Sequence, residues 1–280
     1  MTLMELISEA LLEDMPNGDL TTDSLALANR YGEARLIAKE DLVLSGTAAF
    51  EQTVLALDPT ARLQWNFKEG DLVLDRQTAC LINGDLMQLL KAERVALNFV
   101  GHLSGIATYT RCFVRAVEGT KTKILDTRKT LPAYRELERR AVLNGGGSNH
   151  RRSLSDAVLI KDNHIMVAGG VALAIKRVRQ HTSERIEVEA SDLDQVREAV
   201  GCAADRILLD NMTNEMMADA LKLIPRTIET EASGNMTVDR VGSVAALGVT
   251  YISVGALTHS APSADISLLF DWQQTESAPI

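Results

Sequence analysis

The order of apolar runs predicts an α/β protein in two parts: an α+β domain with hairpins, followed by an open α/β barrel. Three observations carry this. Short runs of alternating character, separated in part by turn residues, fill positions 34–82. From position 123 onward six short apolar runs recur, with amphipathic helical stretches between most of them. Each of those six runs ends, on its C-terminal side, in polar or charged residues.

The elements follow in order. Leu3, Leu6, Ile7, Ala10 and Leu11 share one helical face over 1–13, and Pro16-Asn-Gly-Asp19 is a turn. Strands are expected at 34–39, 61–67, 72–74 and 79–82, with turns at Lys68-Glu-Gly-Asp71 and Asn83-Gly84. A long helix over 86–117 is expected to break or bend near Gly101 and Gly105. Barrel strands follow at 123–125, 157–160, 186–188, 207–209, 226–229 and 251–254, and helices at 132–144, 171–181, 193–199, 214–223 and 238–247. Pro132 near the start of the first of these helices and Gly145 after its end match the asymmetry of helix entry and exit. Strands that alternate with helices pair in parallel. Six such units are one or two short of a closed eight-fold barrel, so an open barrel is expected, with the closed form as the alternative.

With 46% hydrophobic residues in 280, the chain can bury a substantial core. Its net charge of −9 argues against non-specific nucleic-acid binding. The charge is uneven: 121–161 holds ten Lys or Arg against four Asp or Glu, while the rest of the chain is 15 net negative. Cys80, Cys112 and Cys202 have no metal or redox spacing and read as reduced thiols. The acidic amphipathic start is not a signal peptide, and no apolar run reaches the roughly 18 residues a spanning helix needs. A cytoplasmic protein without membrane or nucleic-acid partners is expected.

The segment Thr122-Lys-Ile-Leu-Asp-Thr-Arg-Lys-Thr130 ends an apolar run on Arg128 and Lys129, cations that are rarely buried without a partner. Gly145-Gly-Gly-Ser-Asn-His-Arg151 and Lys161-Asp-Asn-His164 add further basic groups, and together they describe a pocket for a ligand with several negative charges. The other polar strand ends are Glu187/Glu189, Asp210/Asn211, Glu231/Ser233 and Ser253/Gly255. One carboxylate after a strand reads as a helix cap, but six polar ends in succession point to the rim where barrel active sites lie. Glu231-Ala-Ser-Gly-Asn235 and Ser253-Val-Gly-Ala-Leu-Thr-His-Ser260 place small residues and hydroxyls where a phosphate can meet backbone amides. Glu189 and Asp210 suit Mg²⁺, through water, or ribose hydroxyls; the alternative is salt bridging to Lys129 and Lys161. His150 is placed to donate to a carboxylate or carbonyl, whereas His164 and His259 read as satisfied by backbone groups. Zinc spacing and a GxSxG nucleophile are both lacking. Arg94, at the edge of an apolar helical stripe, reads as a snorkelling surface arginine.

The chain resembles the quinolinate phosphoribosyltransferase family over nearly its whole length. The resemblance is carried by Glu13-Asp-Met-Pro-Asn-Gly-Asp-Leu-Thr-Thr-Asp23, Glu93-Arg-Val-Ala-Leu-Asn-Phe99, Leu103-Ser-Gly-Ile-Ala-Thr108, Leu125-Asp-Thr-Arg-Lys-Thr130, the 145–151 and 158–164 segments, Glu187-Val-Glu189, Leu209-Asp-Asn211, Glu231-Ala-Ser-Gly234 and Val254-Gly-Ala-Leu-Thr-His259. It implies an N-terminal α/β sandwich domain over 1–102, an open α/β barrel over 103–265, and a segment at 266–280 that returns to the first domain. It implies phosphoribosyl transfer from phosphoribosyl pyrophosphate to quinolinate with decarboxylation, in NAD biosynthesis, by a homodimer or larger homo-oligomer. By this resemblance Arg94 is supplied by the partner subunit, which overturns the surface reading. Arg128, His150 and Arg151 would hold the quinolinate carboxylates, and Lys129 and Lys161 would lie between the substrates. Glu189 and Asp210 would bind ribose and Mg²⁺. Ser233, Gly234 and Gly255, with Asn235, Ala256 and His259 beside them, would cradle the 5′-phosphate. Arg152, Ser153, Ser155 and Asn235 depart from the commoner Met, Gly, Tyr and Gly of relatives. A paralogous transferase for another anionic acceptor, or a non-catalytic phosphate-binding barrel, are the alternatives, and the retained acids and lysines argue against both.

Overall fold

The computed structural model describes residues 1–27 and 30–271. In chain order the elements are α1 (Leu3–Asp14), α2 (Leu20–Leu25), β1 (Tyr31–Ala38), β2 (Leu42–Val43), α3 (Thr47–Leu57), β3 (Arg62–Trp65), β4 (Leu72–Val73), β5 (Thr78–Asp85), α4 (Leu86–Ala116), β6 (Lys123–Leu125), α5 (Arg135–Asn144), β7 (Val158–Ile160), α6 (Asp162–Ala168), α7 (Val171–Arg179), β8 (Ile186–Ala190), α8 (Leu193–Gly201), β9 (Arg206–Asp210), α9 (Asn214–Leu223), β10 (Glu229–Ser233), α10 (Val238–Ala245), β11 (Tyr251–Ser253), α11 (Ala256–His259) and β12 (Ile266–Asp271). Two compact units result: Met1–Tyr109 with Leu131–Gly146 and 261–271, and Thr110–Thr130 with Gly147–Ser260. No helix among the described residues is long and apolar enough to cross a membrane.

In the first unit an antiparallel sheet runs β12-β1-β5-β3. Alternate residues of β1, Ala34, Leu36 and Ala38, are buried in a core with Phe50, Val54, Val73, Ile82 and Leu89. Residues 266–271 of the segment expected to return here form β12 beside β1; positions 272–280 lie outside the described residues. The turn expected at Asn83-Gly84 does not exist. Both residues belong to β5, opposite Glu33 and Gly32 of β1. Gly84 is needed there for space, since a Cβ would lie 2.7 Å from Asp58 Oδ2. The break expected in the long helix is also absent: α4 runs unbroken for 31 residues. Its glycines serve close packing, because a Cβ on Gly105 would stand 2.0 Å from the Pro262 carbonyl oxygen, and Ala264 donates its N–H to Gly101 at 2.9 Å. Helix α5, expected between the first two barrel strands, groups instead with this unit, where Tyr134 stacks on Phe99 and Glu138 accepts from or is paired with His102 at 2.8 Å.

The second unit is a parallel sheet in the order β6-β11-β10-β9-β8-β7. Strands β6 and β7 sit at opposite edges, so the described barrel is open. The strand expected at 226–229 lies instead at Glu229–Ser233. Pro225 starts a turn closed by the Ile228 N–H, and pairing begins only when Glu229 comes opposite Arg206. Side chains alternate across these strands. Val188, Ile207, Leu209, Ala232 and Ile252 form one fully buried set, and the helices bring buried stripes such as Val196/Ala199 and Val241/Val244. The other set, Glu187, Glu189, Leu208, Asp210, Glu231, Ser233 and Ser253, points its polar groups the opposite way. Helices α8 and α9 start on Asp192 and Thr213, whose side chains accept from the Gln195 and Met216 amides, so each loop from strand to helix closes tightly on the rim.

Candidate active site

A cavity of about 780 Å³ opens in the second unit at the C-terminal ends of its strands. Asp126, fully buried after β6, organises one wall. It accepts from Asn149 Nδ2 at 2.5 Å and from the His150 amide at 2.6 Å, while its own amide donates to the Ser148 carbonyl at 3.0 Å. The glycine-rich segment is thereby fixed to the loop that carries Arg128 and Lys129, and Arg128, Lys129, His150 and Arg151 all line one cavity. The Lys129 carbonyl accepts from Thr258 Oγ1 at 2.7 Å. Its side chain passes over Gly255, where a Cβ would meet Lys129 Cδ at 2.9 Å and His259 Nε2 at 3.1 Å.

On the facing wall Lys161 pairs with Glu189, and the Asp162 amide approaches the other oxygen of that carboxylate at 3.4 Å. The Lys161 amide donates to His164 Nδ1 at 2.9 Å, in keeping with a histidine satisfied by backbone. Asp210 accepts from Asn211 Nδ2 at 2.8 Å. Asn211, Gly234 and Asn235 all have left-handed backbones, with φ of 54°, 94° and 51°. Gly234 cannot be replaced without displacement, because its Cβ would lie 2.1 Å from Asn211 Oδ1.

A buried charge network adjoins this cavity. His150 Nε2 lies 3.2 Å from Glu187 and 3.5 Å from Glu231, and its Nδ1 accepts the Arg151 amide at 2.7 Å. Arg206 Nη1 is 3.2 Å from Glu231 and 3.8 Å from Glu187, its Nη2 3.0 Å from Glu229, and its guanidinium lies over the Tyr251 ring. Burial opposes charge on His150, but hydrogen bonds to Glu187 and Glu231, together with their charge, outweigh it and push its pKa up to about 9. The Arg151 amide bond, by contrast, requires an unprotonated Nδ1. Full protonation would therefore release that amide. Burial holds the Glu187 carboxyl above the usual carboxylate range, and the Glu231 charge adds to this. His150, Glu187 and Glu231 could gather around a metal ion, but Arg206 already balances the two acids, so the cluster reads as a charge network.

The N- and C-terminal domain families of quinolinate phosphoribosyl transferase match residues 19–104 and 106–269. The chain is 40% identical over 268 residues to a probable nicotinate-nucleotide pyrophosphorylase [carboxylating] of Bacillus subtilis, covering 95% of this chain and 92% of that protein. A protein of the same description from Synechocystis is 42% identical over 267 residues, covering 94% and 90%. Among solved structures, the nicotinate-nucleotide pyrophosphorylase of Ehrlichia chaffeensis superposes with a TM-score of 0.93 at 38% identity, covering 97% of this chain and 99% of that one. The one from Francisella tularensis gives 0.92 at 35% identity, covering 96% of each.

The chain belongs to the quinolinate phosphoribosyltransferase family. Its open barrel brings thirteen of the sequence-predicted site residues to one cavity: Arg128, Lys129, His150, Arg151, Lys161, Glu189, Asp210, Ser233, Gly234, Asn235, Gly255, Ala256 and His259. Arg94 is not among them; it is exposed on α4 of the first unit. The His150 ring, expected to meet a substrate carboxylate, has both nitrogens engaged by the protein itself. The sequence reading missed the network of Glu187, Glu231 and Arg206 and the anchoring by Asp126. The period-two spacing of Glu187/Glu189 and Glu229/Glu231 was the available signal, because it puts each pair on one strand face.

Proposed function

We propose that this chain transfers phosphoribose from phosphoribosyl pyrophosphate to the ring nitrogen of quinolinate and releases pyrophosphate and CO₂, giving nicotinate mononucleotide for NAD biosynthesis. Family membership supports this reading, and so does one observation: Arg128, Lys129, Arg151 and Lys161 face a single cavity that also holds Glu189 and Asp210. Two polyanions repel each other, and converging cations let both occupy one site in reacting geometry. In the first step the ribose C1–oxygen bond to pyrophosphate breaks and a C1–nitrogen bond forms. Lys129 and Lys161 stabilise the departing charge. In the second step the 2-carboxylate leaves as CO₂. The electron pair left on the ring carbon lies next to the positively charged nitrogen and then takes a proton from solvent.

Arg128 and Arg151 grip the quinolinate carboxylates, and we assign His150 to anchoring the 148–151 segment, through its amide on Asp126 and its ring on Glu187 and Glu231. Mg²⁺ belongs to this reading. Glu189 and Asp210 are hard oxygen donors facing the cavity, a donor set that fits Mg²⁺ bound through water. The ion would neutralise pyrophosphate charge. Ser233, Gly234, Asn235, Gly255, Ala256 and His259 receive the 5′-phosphate. We further infer a cytoplasmic homodimer or larger homo-oligomer in which Arg94 serves the partner's site. Net negative charge, free cysteines and the exposure of Arg94 support that placement.

The test is purified protein with phosphoribosyl pyrophosphate, Mg²⁺ and either quinolinate or nicotinate, scored for mononucleotide and CO₂. Quinolinate should be favoured by about 2–5 kcal/mol, since a missing carboxylate removes a charge-assisted contact that the basic side chains of the cavity would make. Equal turnover of the two acids rejects the assignment.

A further inference from the structure

Arg240 lies in the first turn of α10, half-buried, and does not itself line the cavity. Its Nη1 donates to the carbonyls of Gly234 at 3.0 Å and Asn235 at 3.3 Å, and its Nη2 to the carbonyl of Met212 at 2.8 Å. One guanidinium thus bridges the loop after β9 and the loop after β10. Both loops reach the cavity, through Asn211 on one side and Gly234, Asn235 and Met236 on the other. They are also linked directly, by Asn235 Nδ2 donating to Asn211 Oδ1 at 3.3 Å.

The consequence lies in the peptide planes. In a trans peptide the C=O and the following N–H point in opposite directions, and the described chain has no cis bond. Carbonyls of Gly234 and Asn235 that face Arg240 send the amide hydrogens of Asn235 and Met236 the other way. Among the described residues no protein acceptor takes either hydrogen. Successive amides on a left-handed turn form a concavity suited to an anion.

We propose that Arg240 is a positioning residue for the phosphate end of the ribosyl donor: it locks the 211–212 and 234–236 loops together and keeps the Asn235 and Met236 amides turned toward the cavity without touching the ligand. This rests on the phosphoribosyl-transfer reading above. The planar fork is essential, because three acceptors on two loops need donors spread in one plane. A lysine offers a single charged point.

The experiment uses the full chain, with ribose 5-phosphate and pyrophosphate as separate probes measured by calorimetry and as inhibitors. Arg240→Ala should weaken ribose 5-phosphate binding and raise KM for phosphoribosyl pyrophosphate about tenfold, the loss expected for charge-assisted hydrogen bonds. Pyrophosphate binding and KM for quinolinate should stay within twofold. Arg240→Lys, the variant to use if the alanine form does not fold, should show an intermediate loss with an unchanged denaturation midpoint. Unaltered ribose 5-phosphate binding in both variants overturns the proposal, as does an equal weakening of both probes. A wild type that binds ribose 5-phosphate, with the expected loss in Arg240→Ala, but does not turn over quinolinate would sink the substrate assignment and leave the positioning role standing.

Discussion

His150 shows how much one side chain can gather. Its ring is bounded by Glu187 and Glu231 at Nε2 and by the Arg151 amide at Nδ1, and only a small fraction of it is exposed. Because the folded pKa is raised to about 9, above the roughly 6.5 of an unfolded chain, its stabilisation is fully present below about pH 6.5. That stabilisation is lost as pH rises through 9. The thermal midpoint of the wild type should exceed that of His150→Gln at pH 6, and the gap should narrow toward pH 9.5; a constant gap would show that folding does not shift this pKa, and a gap that widens with pH would show that the ring stays neutral. Asp210 offers a second test at this scale. Asp210→Asn should keep the fold and quinolinate affinity, lower kcat and need more Mg²⁺ for half-maximal rate. A Mg²⁺ titration that overlays the wild type removes Asp210 from any role in placing the metal.

Among the elements, α3 depends on a residue distant in sequence. It begins after Gly46, which has no side chain to cap it. Glu69 does this instead, accepting from the amides of Gly46 at 3.0 Å and Thr47 at 3.1 Å, and from Asn144 and Arg140 through its other oxygen. Burial opposes the charge, but these partners outweigh it and hold the carboxyl below its ordinary range. A depressed folded pKa means stabilisation present above roughly pH 4.3 and lost as pH falls through the folded value. Glu69→Gln should cost about 1–3 kcal/mol in urea denaturation at pH 7. That cost should shrink as the pH is lowered toward 3. The same element scale explains two misread signals. Gly101 and Gly105 imitate a helix break, and Asn83-Gly84 imitates a hairpin turn. In each case the glycine answers to a neighbour far along the chain: the Pro262 carbonyl for Gly105 and Asp58 for Gly84.

For the whole molecule, the decisive test concerns Arg94. If it acts across a subunit boundary, Arg94→Ala and Lys129→Ala should each be nearly inactive. A subunit-exchanged mixture should recover up to about a quarter of wild-type activity, because a heterodimer carries one intact composite site. Folded, oligomeric mixtures that stay inactive place Arg94 in cis or outside the reaction. Sequence could identify Arg94 only by resemblance, since its helical surroundings are those of any exposed arginine. The barrel rim was legible for the opposite reason: six parallel strands repeat one polarity, and each polar C-terminal end marks the same face.

By itself the sequence determined the parallel pairing of the strands, their count of six and the polar residues at their ends, because alternation and period are local properties of the chain. Tertiary structure alone decided that α5 groups with the first unit, that Glu187 and Glu231 close on His150 and Arg206, and that Arg240 bridges two loops. The contacts of His150 and Arg206 join residues 19 to 81 positions apart, Arg240 reaches back 28 positions to Met212, and the placing of α5 belongs to packing between elements. Such pairings are set by which surfaces meet, and no local pattern encodes them.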